Sequence, residues 1–229
     1  MSITENYKKL LAEIRGKATL VAVSKTKTSA EIMELYNLGQ RDFGENYVQE
    51  LQDKIKKLPN DIRWHFIGHL QTNKAKMVVD FVHLVQSVDS IKLLTELDKQ
   101  GEKNGRVIQC LLQVHISDES TKFGFSTQEL EELFTVTGRL QKFSHIKISG
   151  LMGMASFTDD DVKIRKEFAT LRSLFVRFAD VNFSNCNFSI LSMGMTADYK
   201  TAIGEGSNMI RIGSLLFGER IASTPKESK

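Results

Sequence analysis

The 229-residue sequence predicts a single α/β domain: a (β/α)8 TIM barrel with an extra N-terminal helix. Three observations lead there. Eight strand candidates recur along the chain, most of them short apolar runs rather than strict alternations, as parallel strands buried on both faces require. Amphipathic helical patterns fill the gaps between them. The length suits one barrel, and no G-x-G-x-x-G follows the first strand, which argues against an open doubly wound sheet.

The elements follow in order. Ile3, Tyr7, Leu10, Leu11 and Ile14 share one helix face within residues 1–17, ahead of the first strand, Leu20–Lys25. Thr28 with Glu31 forms a capping-box pattern for the next helix. The second strand is Asp42–Glu45, and Val48, Leu51, Ile55 and Leu58 line the helix after it. Arg63–Gly68 and Leu84–Val88 are strands three and four, and Asp89-Ser90 caps a helix carrying Ile91, Leu94 and Leu97. Val107–Ile116 is the fifth strand, with Ser126 and Glu129 boxing the start of the following helix. After Ile146–Met154 comes the clearest helical spacing, Ile164, Phe168, Leu171, Phe175 and Phe178. Phe188–Gly194 and Met209–Ser214 complete the eight, and residues 221–229 read as a frayed polar tail.

Composition narrows the function classes. Lysine and arginine (31) nearly balance aspartate and glutamate (28), giving a net charge of +3 with no basic stripe, so nucleic acid is not expected as a partner. Cys110 and Cys186 sit in no paired motif, as expected in a reducing compartment. No apolar stretch is long enough to span a bilayer, and the N-terminus lacks a signal-peptide core. A cytoplasmic protein without membrane contact is expected.

The chemistry starts with Lys25, at the end of the first strand. A lysine partly desolvated there loses affinity for its proton, and the neutral amine can attack a carbonyl; a solvated strand cap is the plainer alternative. Two distal turns, Ser192-Met193-Gly194-Met195-Thr196 and Arg211-Ile212-Gly213-Ser214, offer backbone N–H groups and hydroxyls suited to a phosphate. An amine nucleophile with a phosphate cradle points to a phosphorylated aldehyde, of which pyridoxal 5′-phosphate is the common biological one. Arg211 lies inside an apolar strand and needs a partner, either a structural ion pair or the pyridine nitrogen of that cofactor. His65 and His69 are four apart, but Gly68 and a strand intervene, so no metal site is expected. In such barrels the site is built at the C-terminal strand ends, where Lys25, Glu45-Asn46, His65, Ser192 and Arg211 fall.

Several long motifs, in order, then carry a resemblance over residues 20–220. They are Ala22-Val23-Ser24-Lys25-Thr26-Lys27, Phe43-Gly44-Glu45-Asn46-Tyr47-Val48-Gln49-Glu50, Trp64-His65-Phe66-Ile67-Gly68-His69-Leu70-Gln71, Gly150-Leu151-Met152, Leu191-Ser192-Met193-Gly194-Met195 and Arg211-Ile212-Gly213-Ser214. The chain resembles the pyridoxal phosphate homeostasis protein family, relatives of the barrel domain of alanine racemase. The resemblance implies a covalent aldimine at Lys25, with Ser192, Gly213 and Ser214 around the phosphate and Gly194 in the same cradle. It implies Arg211 at the pyridine nitrogen and Asn46, His65 and Met154 near the ring. Thr72 and Thr196 stand where the family often has serine, and both keep a hydroxyl.

The function so implied is that of a carrier or regulator of the vitamin B6 pool, with effects on amino-acid and keto-acid balance and no catalysed reaction. Pyridoxal-phosphate-dependent apo-enzymes are the implied acceptors. An amino-acid racemase is the alternative; its second base comes from a further β-domain that this sequence is not expected to supply, so a monomer is expected. A Schiff-base aldolase without cofactor is a third reading.

Overall fold

Eight parallel strands close into a barrel in chain order. They are β1 (Thr19–Val23), β2 (Asp42–Glu45), β3 (Arg63–Phe66), β4 (Leu84–Val88), β5 (Ile108–Val114), β6 (Ile146–Gly153), β7 (Cys186–Ser192) and β8 (Met209–Ile212). Between them run α2 (Ser29–Asn37), α3 (Val48–Ile55), α4 (Ile91–Lys103), α5 (Thr127–Thr135), α6 (Asp161–Ala179) and α7 (Tyr199–Gly204); a 3-10 helix, Thr72–Met77, links β3 to β4. The extra helix α1 (Ile3–Ile14) precedes the barrel, and the short α8 (Ser214–Phe217) follows β8. This computed structural model describes residues 2–117, 123–136, 138–181 and 183–218; the polar tail 221–229 lies outside them.

Local chemistry accounts for the helix starts. Ser2 with Glu5, Thr28 with Glu31 and Ser126 with Glu129 each make a full capping box, satisfying backbone donors that a first helical turn leaves open. Ser90 and Asp160 cap α4 and α6 with their side chains. The apolar stripe of α6 turns Ile164, Phe168, Leu171, Leu174 and Phe178 into the layer between helices and barrel. That layer is the main core, and fully buried Phe43, Phe66 and Phe168 are among its largest members.

The barrel interior is different. Its apolar content is small: Val21, Leu84, Leu111, Met152 and Met209, with Ile190 packed against them. Strand alternation brings polar side chains into the remaining inward positions, and those carry the site.

Strand limits also differ from the sequence reading. β1, β3, β7 and β8 each stop two residues early, so Lys25, Gly68 and Gly194 fall in the loops at the barrel's C-terminal mouth and Ser214 opens the short α8 there. β7 starts earlier, at Cys186, because its first half alternates between exposed and half-buried residues and lacks a continuous apolar run. Leu58 is buried, but it lies beyond α3.

Candidate functional site

The turn that carries Lys25 is tied down from beneath. Lys25 is half-buried, two residues past the end of β1. Its neighbour Ser24 donates its hydroxyl to Glu45 Oε1 at 2.6 Å. The buried ammonium of Lys54 donates to the Ser24 carbonyl (2.7 Å), to Glu45 Oε1 (2.7 Å) and to Glu50 Oε1 (2.6 Å). Glu50 Oε1 also accepts the backbone N–H of Thr26. Thr26 sits at φ +65°, left-handed backbone that a β-branched residue adopts only when its surroundings enforce it. Burial raises the Glu45 carboxyl above its usual range, against the pull of Lys54 and Ser24. Its Oε2 has no hydrogen-bond partner among the described residues.

Next to β1 stands β8, with Val21 opposite Arg211 and Ala22 opposite Ile212. Arg211 is 3% exposed. Its NH1 donates to Ser192 Oγ at 2.6 Å and its NH2 to the Gly153 carbonyl at 3.0 Å. Neither acceptor is a carboxylate. Burial lowers its pKa to about 10, with Asp198 opposing, so the guanidinium stays charged at neutral pH. The Ser192 hydroxyl, which the resemblance puts beside the phosphate, is buried between Arg211 and Gln86, donating to Gln86 Oε1 at 2.6 Å.

The loops after β7 and β8 meet at the mouth. Ser214 Oγ lies 3.2 Å from Thr196 Oγ1, and Ser214 is exposed. Gly213 rests against Val23: a Cβ there would lie in ordinary van der Waals contact, 3.4 Å from Val23 Cβ and from the Val23 carbonyl oxygen. Gly194 has another role. At φ +100°, its missing Cβ would fall 2.6 Å from Ala202 Cβ, so glycine here lets α7 pack onto the end of β7.

Asn46 and Met154 lie just past β2 and β6, at the same rim. Asn46 Oδ1 is buried without a hydrogen-bond partner among the described residues. A Cβ on Gly68 would come 2.3 Å from the Asn46 carbonyl, so glycine is required where the β3 loop presses on it. His65 points into the barrel: Nε2 lies 3.0 Å from Asp42 Oδ1, and Nδ1 2.9 Å from Gln86 Nε2. The sequence reading missed Lys54, Glu50 and Gln86. The first two carried a signal, an acid and a lysine at i and i+4 on one helix; Gln86 carried only its polarity within an apolar run.

The donor set suits a phosphorylated pyridine aldehyde. It offers an amine on a braced turn, a buried cation held by neutral acceptors, two adjacent hydroxyls beside Gly213, and at the rim an amide oxygen with no hydrogen-bond partner among the described residues. The family model of the alanine racemase N-terminal domain matches residues 1–221. A Haemophilus influenzae relative named pyridoxal phosphate homeostasis protein is 38% identical over 208 residues, 90% of this chain and 86% of its own. The structure of PipY from Synechococcus elongatus without PLP is similar at TM-score 0.87 and 33% identity, covering 95% of this chain and 100% of that one; PipY with PLP bound matches at 0.83. Alanine racemase from Corynebacterium glutamicum, 15% identical at TM-score 0.73, shares the fold over 63% of its chain. The chain belongs to the alanine racemase N-terminal domain family and, within it, to the pyridoxal phosphate homeostasis proteins.

Proposed function

We propose that this protein binds pyridoxal 5′-phosphate as a Schiff base on Lys25 and keeps the cell's supply of that cofactor in balance, and with it amino-acid and keto-acid levels. The observation that carries the reading is the pairing of neighbouring strand ends: the braced Lys25 turn after β1 beside the Gly213-Ser214 turn after β8, with buried Arg211 between them on β8. PipY, similar along its whole length, is known with PLP bound.

In this reading Ser214, Gly213 and Thr196 hold the phosphate, while Asn46 and Met154 flank the ring. Gly194 and Ser192 act at one remove, through α7 and through Arg211. When bound, the cofactor supplies an aldehyde for the Lys25 amine and an electron-withdrawing ring. Arg211, a cation at neutral pH, donates to the ring nitrogen and keeps it unprotonated, which limits the ring as an electron sink. The Ser24–Glu45–Lys54–Glu50 group keeps the amine at the mouth. The protein acts as a carrier and not an enzyme, working as a cytoplasmic monomer that hands cofactor to apo-enzymes. No helix among the described residues is long and apolar enough to cross a membrane.

The test is a transfer assay. Cofactor-loaded protein is mixed with a pyridoxal-phosphate-dependent apo-enzyme, and in parallel with L-amino acids in D2O, following chirality and α-deuterium. The expected result is activation of the apo-enzyme without turnover. Racemisation at ordinary enzyme rates, lost in Lys25→Ala, would make the protein a racemase instead.

A further inference from the structure

One continuous line of hydrogen bonds runs through the barrel from β8 to β2. Arg211 NH1 reaches Ser192 Oγ at 2.6 Å, and Ser192 Oγ reaches Gln86 Oε1 at 2.6 Å. Gln86 Nε2 reaches His65 Nδ1 at 2.9 Å, and His65 Nε2 reaches Asp42 Oδ1 at 3.0 Å. All five side chains are buried. At the far end Arg63 grips both oxygens of Asp42.

The two ends, with the Gln86 amide turned as it is between them, set the direction of every bond. A guanidinium can only donate and a carboxylate can only accept. Burial pushes the Asp42 carboxyl up, but the bonds from Arg63 and His65 outweigh it and keep Asp42 ionised well below the usual carboxylate range. Ser192 accepts from Arg211, so its own proton goes to Gln86 Oε1. The Gln86 amide then faces His65 with its NH2, whose other proton points to Met209 Sδ at 3.3 Å. Nδ1 of His65 must be bare to accept it, which leaves the imidazole proton on Nε2, directed at Asp42. From the other end, Asp42 requires a proton on Nε2, and the Gln86 Nε2–H aimed at Nδ1 requires that nitrogen to be bare. Near His65 also stand Arg63, which shares its partner Asp42, and, edge-on, the ring of His83 at 5.6 Å.

We propose that Gln86 and His65 are positioning residues for Arg211: the one-way line holds His65 as its Nε2–H tautomer and turns the Ser192 oxygen toward the guanidinium, fixing the cation that faces the bound ring. The Gly153 carbonyl holds the other nitrogen, so Arg211 is clamped at both tips. Bonds that all run one way polarise one another, which strengthens the acceptor that Arg211 meets. The consequence for the cofactor rests on the reading given above; the tautomer does not.

The test begins without cofactor. In protein labelled with 15N-histidine, two-bond 1H–15N correlations at neutral pH report the tautomer, and His65→Gln identifies the signal. The expected pattern is a protonated Nε2 and a bare, hydrogen-bonded Nδ1. Gln86→Leu should move the Nδ1 resonance toward that of an unbonded nitrogen and leave Nε2–H in place. An imidazolium or Nδ1–H pattern in the unmodified protein would overturn the proposal, whether or not the variant folds. With pyridoxal phosphate added, Gln86→Leu should lose about fivefold in affinity, the usual net worth of one hydrogen bond between neutral groups, and shift the visible band. Unchanged affinity and band would overturn the positioning role. A correct tautomer in protein that takes up no cofactor would overturn the cofactor reading alone.

Discussion

β2 supplies an acid to each of two buried polar groups, and the two acids are held in opposite ways. Asp42, at its start, faces the barrel interior and accepts from both Arg63 and His65; these bonds outweigh its burial and keep it ionised. Glu45, at its end, faces the helix layer. Lys54 and Ser24 both bond to Oε1, Oε2 goes without, and burial prevails. A buried carboxylate is kept ionised by donors spread over its oxygens; donors crowded on one oxygen leave the other exposed to the cost of desolvation. The interior acid anchors the line to Arg211, and the outer one braces the Lys25 turn.

The opposite shifts predict opposite responses to pH. Asp42 binds its proton less tightly in the folded state, so its stabilisation is complete above its unfolded value, near ~4, and is lost as pH falls below it. Glu45 binds its proton more tightly in the folded state, so its contribution is present below its unfolded value, again near ~4, and is lost as pH rises through the raised folded value.

The largest effect expected is that of Lys54→Met. It leaves Glu45 buried without its cation and should cost about 3–5 kcal/mol at neutral pH. Urea melts over a series from pH 7 downward check this: the deficit should shrink as pH falls and protonation removes the buried charge, and a deficit that does not change with pH would break the contrast. Asp42→Asn comes next, at about 1.5–3 kcal/mol at pH 7 for the loss of bonds to a charged group. Its deficit should fade in melts taken toward pH 3, where the native Asp42 contribution is itself being lost.

The barrel was legible from the sequence because most parallel strands announce themselves as apolar runs, and each of the eight candidates holds a strand. Capping boxes at Thr28 and Ser126 were legible too, since both partners lie within one turn. The two buried polar groups were less so. Asp42, His65, Gln86, Ser192 and Arg211 come from five strands, and only the barrel's closure and the period-2 alternation bring them onto one line. The place of Ser192 illustrates the limit: its motif marks a loop that reaches the mouth, but the hydroxyl that meets Ser214 there belongs to Thr196, four residues on.

The exposed rim completes the contrast, with the smallest effect on folding. Ser214→Leu should change stability by no more than about 0.5 kcal/mol, as surface substitutions usually do. It should still weaken pyridoxal phosphate binding about tenfold by removing a charge-assisted hydrogen bond. A thermal melt with a cofactor titration separates the two readouts, and a large loss of stability with unchanged affinity would place the phosphate elsewhere.

Borohydride reduction of the cofactor-loaded protein, followed by peptide mapping, tests the central claim most directly. The account predicts a pyridoxyl group on Lys25 alone, with the lysine-linked absorbance band missing from Lys25→Ala. A label on Lys27, or on lysines scattered over the surface, would contradict it.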